Sequence, residues 1–141
     1  PALLAARTTA PRVSGPALRG GLGRAVARHH HVDVVPRQAV ADFTRAIELD
    51  RDRAETYNYR GTSYFWLKQF QKALADYDRA LELDPNLTLA YYNRGYVRIE
   101  LGDKAGAIED FRQGAALSKQ EGDTVSEQEA LKIIQDLEQS K

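Results

Sequence analysis

From residue 38 onward the apolar positions recur with the period of a helix. Tyr57, Gly61 and Tyr64 follow the i, i+4, i+7 rule, with Leu67 continuing the stripe, and Ala73, Tyr77 and Ala80 follow it too. Ala130, Leu131, Ile134 and Leu137 give a last amphipathic stretch. The spacing predicts helices over 38–50, 54–67, 71–84, 88–101, 105–118 and 124–139. Punctuation agrees with it. Asp52 and Asn86 are N-cap types just before two of these stretches. Leu101-Gly102-Asp103 reads as a C-cap glycine followed by the next N-cap, and Pro85 follows a helix end at Leu83-Asp84. Thr124 and Glu127 have capping-box spacing.

A second, longer period lies over the first. Tyr57, Arg60, Gly61, Leu67, Ala73, Asp76 and Leu83 return at a constant offset as Tyr91, Arg94, Gly95, Leu101, Ala107, Asp110 and Leu117, which defines a 34-residue period. Tyr77 returns as Phe111 and Ala80 as Gly114. Going back one period, Ala39, Ala41, Asp42, Arg45, Ala46, Glu48, Leu49 and Asp50 match residues 73–84, which makes a half copy. Gly61 with Ala73, and Gly95 with Ala107, are expected where two antiparallel helices approach closely. Ala80 and Gly114 would admit the next helix. Tyr57, Tyr64 and Tyr77 would fill the space around these contacts, small beside large.

Residues 54–87, with Tyr57, Gly61, Tyr64, Ala73, Tyr77, Ala80 and Pro85, resemble the tetratricopeptide repeat. Residues 88–121 carry Tyr91, Gly95, Ala107, Phe111 and Gly114 in the same places. They depart at Arg98, where an aromatic is usual, and at Lys119, where Pro is usual. The resemblance implies an all-α fold: an α-solenoid of antiparallel helix pairs, closed by a C-terminal capping helix. It divides the chain into a leader (1–37), the second helix of a partial repeat (38–53), two repeats (54–87 and 88–121) and a cap (122–141). Each repeat buries its apolar face only on a neighbour, so about three are needed for a stable array. Here there are two, a half and a cap. The face of helix 38–50 that carries Val40, Phe43 and Ile47 is expected to lack its partner helix. Residues Leu22 to His31, another chain, or upstream repeats would cover it; otherwise it offers a self-association surface.

Composition separates the leader from the rest. The 141 residues hold 20 basic and 20 acidic side chains, a formal net charge of zero. That balance is a cancellation. Residues 1–37 carry six arginines against the single acid Asp33, a balance of +5, and the remainder carries 14 basic against 19 acidic residues, a balance of −5. All twelve aromatics lie from Phe43 onward, whereas four of the five prolines lie in the leader. Pro11, Pro16, Gly20, Gly21, Gly23 and Pro36 are expected to interrupt any long helix there. The leader reads as a disordered tail, an organellar transit segment or a decayed half repeat. His29-His30-His31 has no second ligand cluster to support a metal site. Pro1 stands where an initiator Met would, so the sequence reads as processed, trimmed or a fragment. No apolar run approaches the roughly 20 residues that span a bilayer. Cys is absent, which removes disulfides, Cys-ligated zinc and thiol nucleophiles.

The chemistry points to binding and away from catalysis. No nucleophile motif, phosphate loop or HExxH is present, and the three His all sit in the leader. The chain is therefore not expected to be an enzyme, and no cofactor is implied. The resemblance implies a concave groove lined by the first helix of each repeat. Helix 54–67 would contribute Glu55, Asn58, Tyr59, Thr62, Phe65 and Trp66 to it; helix 88–101 would contribute Leu89, Tyr92, Asn93, Tyr96, Ile99 and Glu100. Tyr and Trp combine large contact area with a polar handle, which suits peptide or partner-helix capture. The competing reading wedges Phe65 and Ile99 between repeats and packs Trp66 under the leader. Some members of the resembled family clamp a C-terminal carboxylate with Lys, Arg and Asn. Asn93 stands where one such Asn belongs, but Asn58 and Tyr59, not Lys, flank the groove before it. With Glu55 and Glu100 on an acidic body, the expected ligand is an apolar or basic protein segment.

Arg60 and Arg94 replace the usual apolar residue before the glycine, and each needs an acidic partner. Asp76 and Asp110 follow them at a separation of 16, within the same repeat; Asp42 and Asp76 precede them at a separation of 18. The expected pairs are Asp42 with Arg60 and Asp76 with Arg94, pairing within a repeat being the alternative. Asn86-Leu87-Thr88 is a glycosylation sequon, read instead as an N-cap because no signal peptide is visible. The expected function is a cytoplasmic protein–protein interaction module. The alternative is an organelle-targeted assembly factor with the same groove. RNA contact through the arginine-rich leader is weaker, because no aromatic is interleaved there to stack bases.

Overall fold

The computed structural model describes residues 34–141. Six helices make up the described residues, without strands: α1 (Val34–Leu49), α2 (Ala54–Trp66), α3 (Phe70–Leu83), α4 (Thr88–Glu100), α5 (Lys104–Glu121) and α6 (Thr124–Gln139). Connections of two to four residues force neighbours to run antiparallel. The helices α2 with α3, and α4 with α5, are the two repeat pairs, and each helix also packs on the next along the chain.

One contact per repeat sets the pair spacing. A Cβ on Gly61 would lie 2.8 Å from Tyr77 Cε1, and one on Gly95 would lie 2.9 Å from Phe111 Cε2. Both rings are fully buried. The glycine thus lets its helix backbone rest on the aromatic face of its partner, as the small-beside-large pattern predicts. The aromatic three residues after each repeat's start anchors the preceding loop. Tyr57 donates to the Arg51 carbonyl at 3.0 Å and Tyr91 to the Pro85 carbonyl at 2.9 Å. The core runs as three linked clusters, around Tyr57 and Ala80, around Phe65 and Tyr77, and around Tyr92, Phe111 and Ile134.

Several expectations about the ends are corrected. Helix α1 already includes Val34 to Arg37, with Pro36 buried inside its first described turn. Phe43 and Ile47 are not left bare. Phe43 lies 5.7 Å from the Tyr59 ring, and Ile47 packs on the cluster of Tyr57, Ala80, Leu81 and Ala90. The fully exposed apolar residue of α1 is Leu49, 85% exposed. Asp52 and Asn86 do not cap helices; the N-caps are Arg53 and Leu87, which make no side-chain cap bond. Asp50 and Asp84 instead accept from the backbone N–H two residues on, closing Asx turns. Asp103 does cap α5, accepting from the Gly106 N–H at 2.9 Å. At α6 the cap is Asp123, one residue before the expected Thr124, and its bond to Ser126 holds its carboxyl below the ordinary range. Helix α5 runs on to Glu121 because Lys119 replaces the proline that halts α3 at the equivalent place, and it ends at left-handed Gly122. The readings of the leader as transit segment, RNA contact, metal tract or docked helix concern residues outside those described.

The turn after each first helix ends in a left-handed residue. Gly102 (φ 78°) occupies it after α4, and Lys68 (φ 60°) occupies it after α2. The hydrogen bonds match: Gln69 N–H to Tyr64 carbonyl at 2.9 Å, and Asp103 N–H to Arg98 carbonyl at 2.8 Å. A side chain in this region is strained, and glycine is not. Lys68→Gly is therefore expected to stabilise the chain by about 0.5–1 kcal/mol. Urea denaturation measures it; an unchanged or lowered midpoint would show the strain to be absent.

Candidate functional site

Helices α2 and α4 lie side by side, and the twelve expected groove residues sit on them at different depths. Glu55 and Glu100 are exposed. Tyr59, Trp66, Leu89, Tyr96 and Ile99 are half-buried. Asn58, Thr62, Phe65 and Asn93 are each 1% exposed, and Tyr92 is 4% exposed. Helical periodicity gives no measure of these depths. Phe65 packs with Ala73, Tyr77 and Val97, so it is a wedge between repeats. Ile99 and Leu89 pack against the terminal cluster. Tyr92 is also corrected from groove contact to core. Its ring stacks 6.2 Å from Phe111 and its hydroxyl lies 2.6 Å from Ser118 Oγ.

The floor is a buried hydrogen-bond chain. The Thr62 hydroxyl donates to the Asn58 carbonyl at 3.1 Å. Its only proton is thereby used, so the Tyr77 hydroxyl at 2.9 Å donates to it. Asn93 Nδ2 donates to Asn58 Oδ1 at 3.0 Å and to Thr62 Oγ1 at 3.3 Å. Both amide protons of Asn93 are thus engaged. Its Oδ1 is buried and has no partner among the described residues. Asn93 is therefore spent within the fold and offers no amide proton to a ligand.

The arginines before each glycine do pair, but within the repeat. Arg60 forms a two-pronged bond to Asp76, with Nε to Oδ2 at 2.8 Å and Nη2 to Oδ1 at 2.7 Å. Arg94 grips Asp110 the same way, with Nη2 to Oδ1 at 2.7 Å. The expected separation of 18 is overturned in favour of 16. Side chains on α2 and α4 point at their own paired helix across the glycine contact, and that brings the nearer partner within reach. Each arginine also reaches back to the preceding helix: Arg60 to Thr44 at 3.2 Å, Arg94 to Asp78 at 3.0 Å. Arg98, in place of the usual aromatic, adds a second grip on the buried Asp110 at 2.8 Å. The bond to Asp76 holds the Arg60 guanidinium above its ordinary value.

A tetratricopeptide repeat model matches residues 54–87, and a second model of the same repeat matches residues 76–109. Among solved structures, the TPR domain of Arabidopsis OM64 is 32% identical, with 70% of this chain and 83% of that one covered and a TM-score of 0.61. The chain belongs to the tetratricopeptide repeat family. The TPR2B domain of yeast Sti1, in complex with an Hsp70 peptide, is 24% identical over 78% of this chain and 88% of that one, at a TM-score of 0.72. The second TPR of Spaghetti (RPAP3), bound to the HSP90 peptide SRMEEVD, is 28% identical over 58% of this chain and 76% of that one, at a TM-score of 0.57. No curated protein matches the chain in sequence. The tetratricopeptide fold is a protein-interaction scaffold. Among the described residues no helix is long and apolar enough to cross a membrane.

A double-mutant cycle on Arg60→Ala and Asp76→Ala is expected to give a coupling of about 1–3 kcal/mol, and one on Asp76→Ala and Arg94→Ala close to zero. The reverse order would restore the inter-repeat pairing. Burial raises the Tyr77 phenol, and with the charge of Glu129 it pushes Tyr96 up to about 12. In the unfolded chain both ionise near the ordinary value of about 10. Stability from keeping them neutral is full below about pH 10 and is lost as the pH rises towards the folded-state values. Urea midpoints taken across that range should fall steadily; a flat profile would contradict the burial.

Proposed function

We propose that the chain is a peptide-binding interaction module whose ligand is an apolar or basic protein segment lying against α2 and α4. Its fold, and the peptide complexes of Sti1 and RPAP3, support a peptide ligand. The single observation that carries the ligand class is the use of both Asn93 amide protons by Asn58 and Thr62. A groove that grips an acidic C-terminus needs donors and cations at its centre. Here Asn93 spends its donors on Asn58 and Thr62, and Glu55 and Glu100 are exposed on α2 and α4. Tyr59 and Trp66 supply half-exposed aromatic area for apolar contact.

The test compares the heptapeptide SRMEEVD with its charge-reversed, C-terminally amidated counterpart SRMKKVK by fluorescence anisotropy. The reversed peptide is expected to bind at least about tenfold tighter, and Trp66→Ala to weaken it about tenfold. Tighter binding of SRMEEVD would overturn the assignment.

A further inference from the structure

Helix α3 packs on α2 and α5 on α4, whereas α1 is a second helix with no paired first helix among the described residues. Its pairing face reflects this. Pro36 and Ala39, towards its start, are buried, and beyond them the cover thins. Phe43 stands one period before the fully buried Tyr77 but is half-buried. Ala46 stands one period before the fully buried Ala80 and is also half-buried. Asp42 stands one period before the buried Asp76 and is exposed.

The two complete repeats define what such a face receives. The first helix sets a small residue against the ring of the second, Gly61 on Tyr77 and Gly95 on Phe111. It also brings a cation to the buried aspartate: Arg60 to Asp76, and Arg94 with Arg98 to Asp110. One period before α2 lie residues 20–32. Ala27 falls in the place of Gly61, opposite Phe43. Its methyl group asks the ring to give slightly, and Phe43 is not enclosed as Tyr77 and Phe111 are. His30 falls two periods before Arg98, as Asp42 does before Asp110. An imidazole donates an N–H to a carboxylate and is cationic when protonated. Val26 takes the place of Arg60, which leaves Asp42 to His30. Residues 31–33 then remain as the link to Val34, three residues long like the link between α2 and α3. Gly23 is the departure, in the place where Tyr57 anchors the preceding loop.

We infer that the pairing face of α1 is the docking surface for residues 20–30 of the same chain, with Ala27 on the Phe43 ring and His30 at Asp42. The short link holds the segment beside the face at an effective concentration in roughly the millimolar range, so a weak contact suffices. Docking completes a third repeat, which brings the array to about the number that such stacks need. The inference is independent of the peptide-groove reading.

The experiment uses the full chain, which has no native Cys, so Ala25→Cys takes a single nitroxide label. Ala25 stands in the place of the half-exposed Tyr59, away from the pairing face. Broadening of nuclear magnetic resonance signals is expected along α1, from Ala39 to Ala46. It should vanish in Ala27→Leu, whose longer side chain cannot lie against Phe43. It should also vanish in Asp42→Lys and return when His30→Asp is added. Circular dichroism checks that each variant keeps its helices. A mixture of labelled chains with unlabelled, isotope-enriched ones separates contact within a chain from contact between chains. Broadening in that mixture would make a second copy the occupant and overturn the inference. Broadening on α2 and α4 instead, or none at all, would overturn it equally. Undiminished broadening in Ala27→Leu would reject the register, and with it the docking as stated.

Discussion

The chain of buried hydrogen bonds from Tyr77 through Thr62 and Asn58 to Asn93 holds one repeat against the next. It starts on α3, crosses α2 and ends on α4. A buried polar group costs more unpaired than it returns when paired, so such a chain tolerates one register between the helices. The wedge of Phe65 against Val97 and the grip of Arg94 on Asp78 follow from that register. Asn93 spends its donors in the same chain, holding the repeats together.

The arginine ladder joins the helices in the same manner. Arg60 and Arg94 each link two second helices, one in their own repeat and one in the preceding repeat. The ladder changes sign at the end of the array. The place held by Thr44 and Asp78 passes to Arg112, which pairs with Glu138 on α6 at 2.8 Å. A pair that is half exposed at both ends contributes little stability, but the reversed charge matches the cap.

Much of this was legible in the residues. The 34-residue period and the small-beside-large alternation placed all six helices, because helix spacing and backbone approach leave a mark at every turn. What was not legible depended on depth and direction. Asn58, Tyr59 and Thr62 share one face by periodicity, yet only Tyr59 stays half-exposed, since burial depends on which neighbour leans over each residue. Separations of 16 and 18 both place Asp and Arg on facing helices; the tilt of the side chains chooses between them. Asp50 and Asp84 outcompeted Asp52 and Asn86 because an Asx turn closes within two residues and needs no helix.

The proposed preference for an apolar or basic segment turns on the two Asn93 amide protons, and nuclear magnetic resonance reads them directly. In the free chain both Nδ2 protons should exchange slowly with solvent and stay unshifted when SRMEEVD is added in excess. Fast exchange in the free chain, with both protons moving on addition of that peptide, would mean that Asn93 offers donors to the ligand and that the proposed ligand class is wrong.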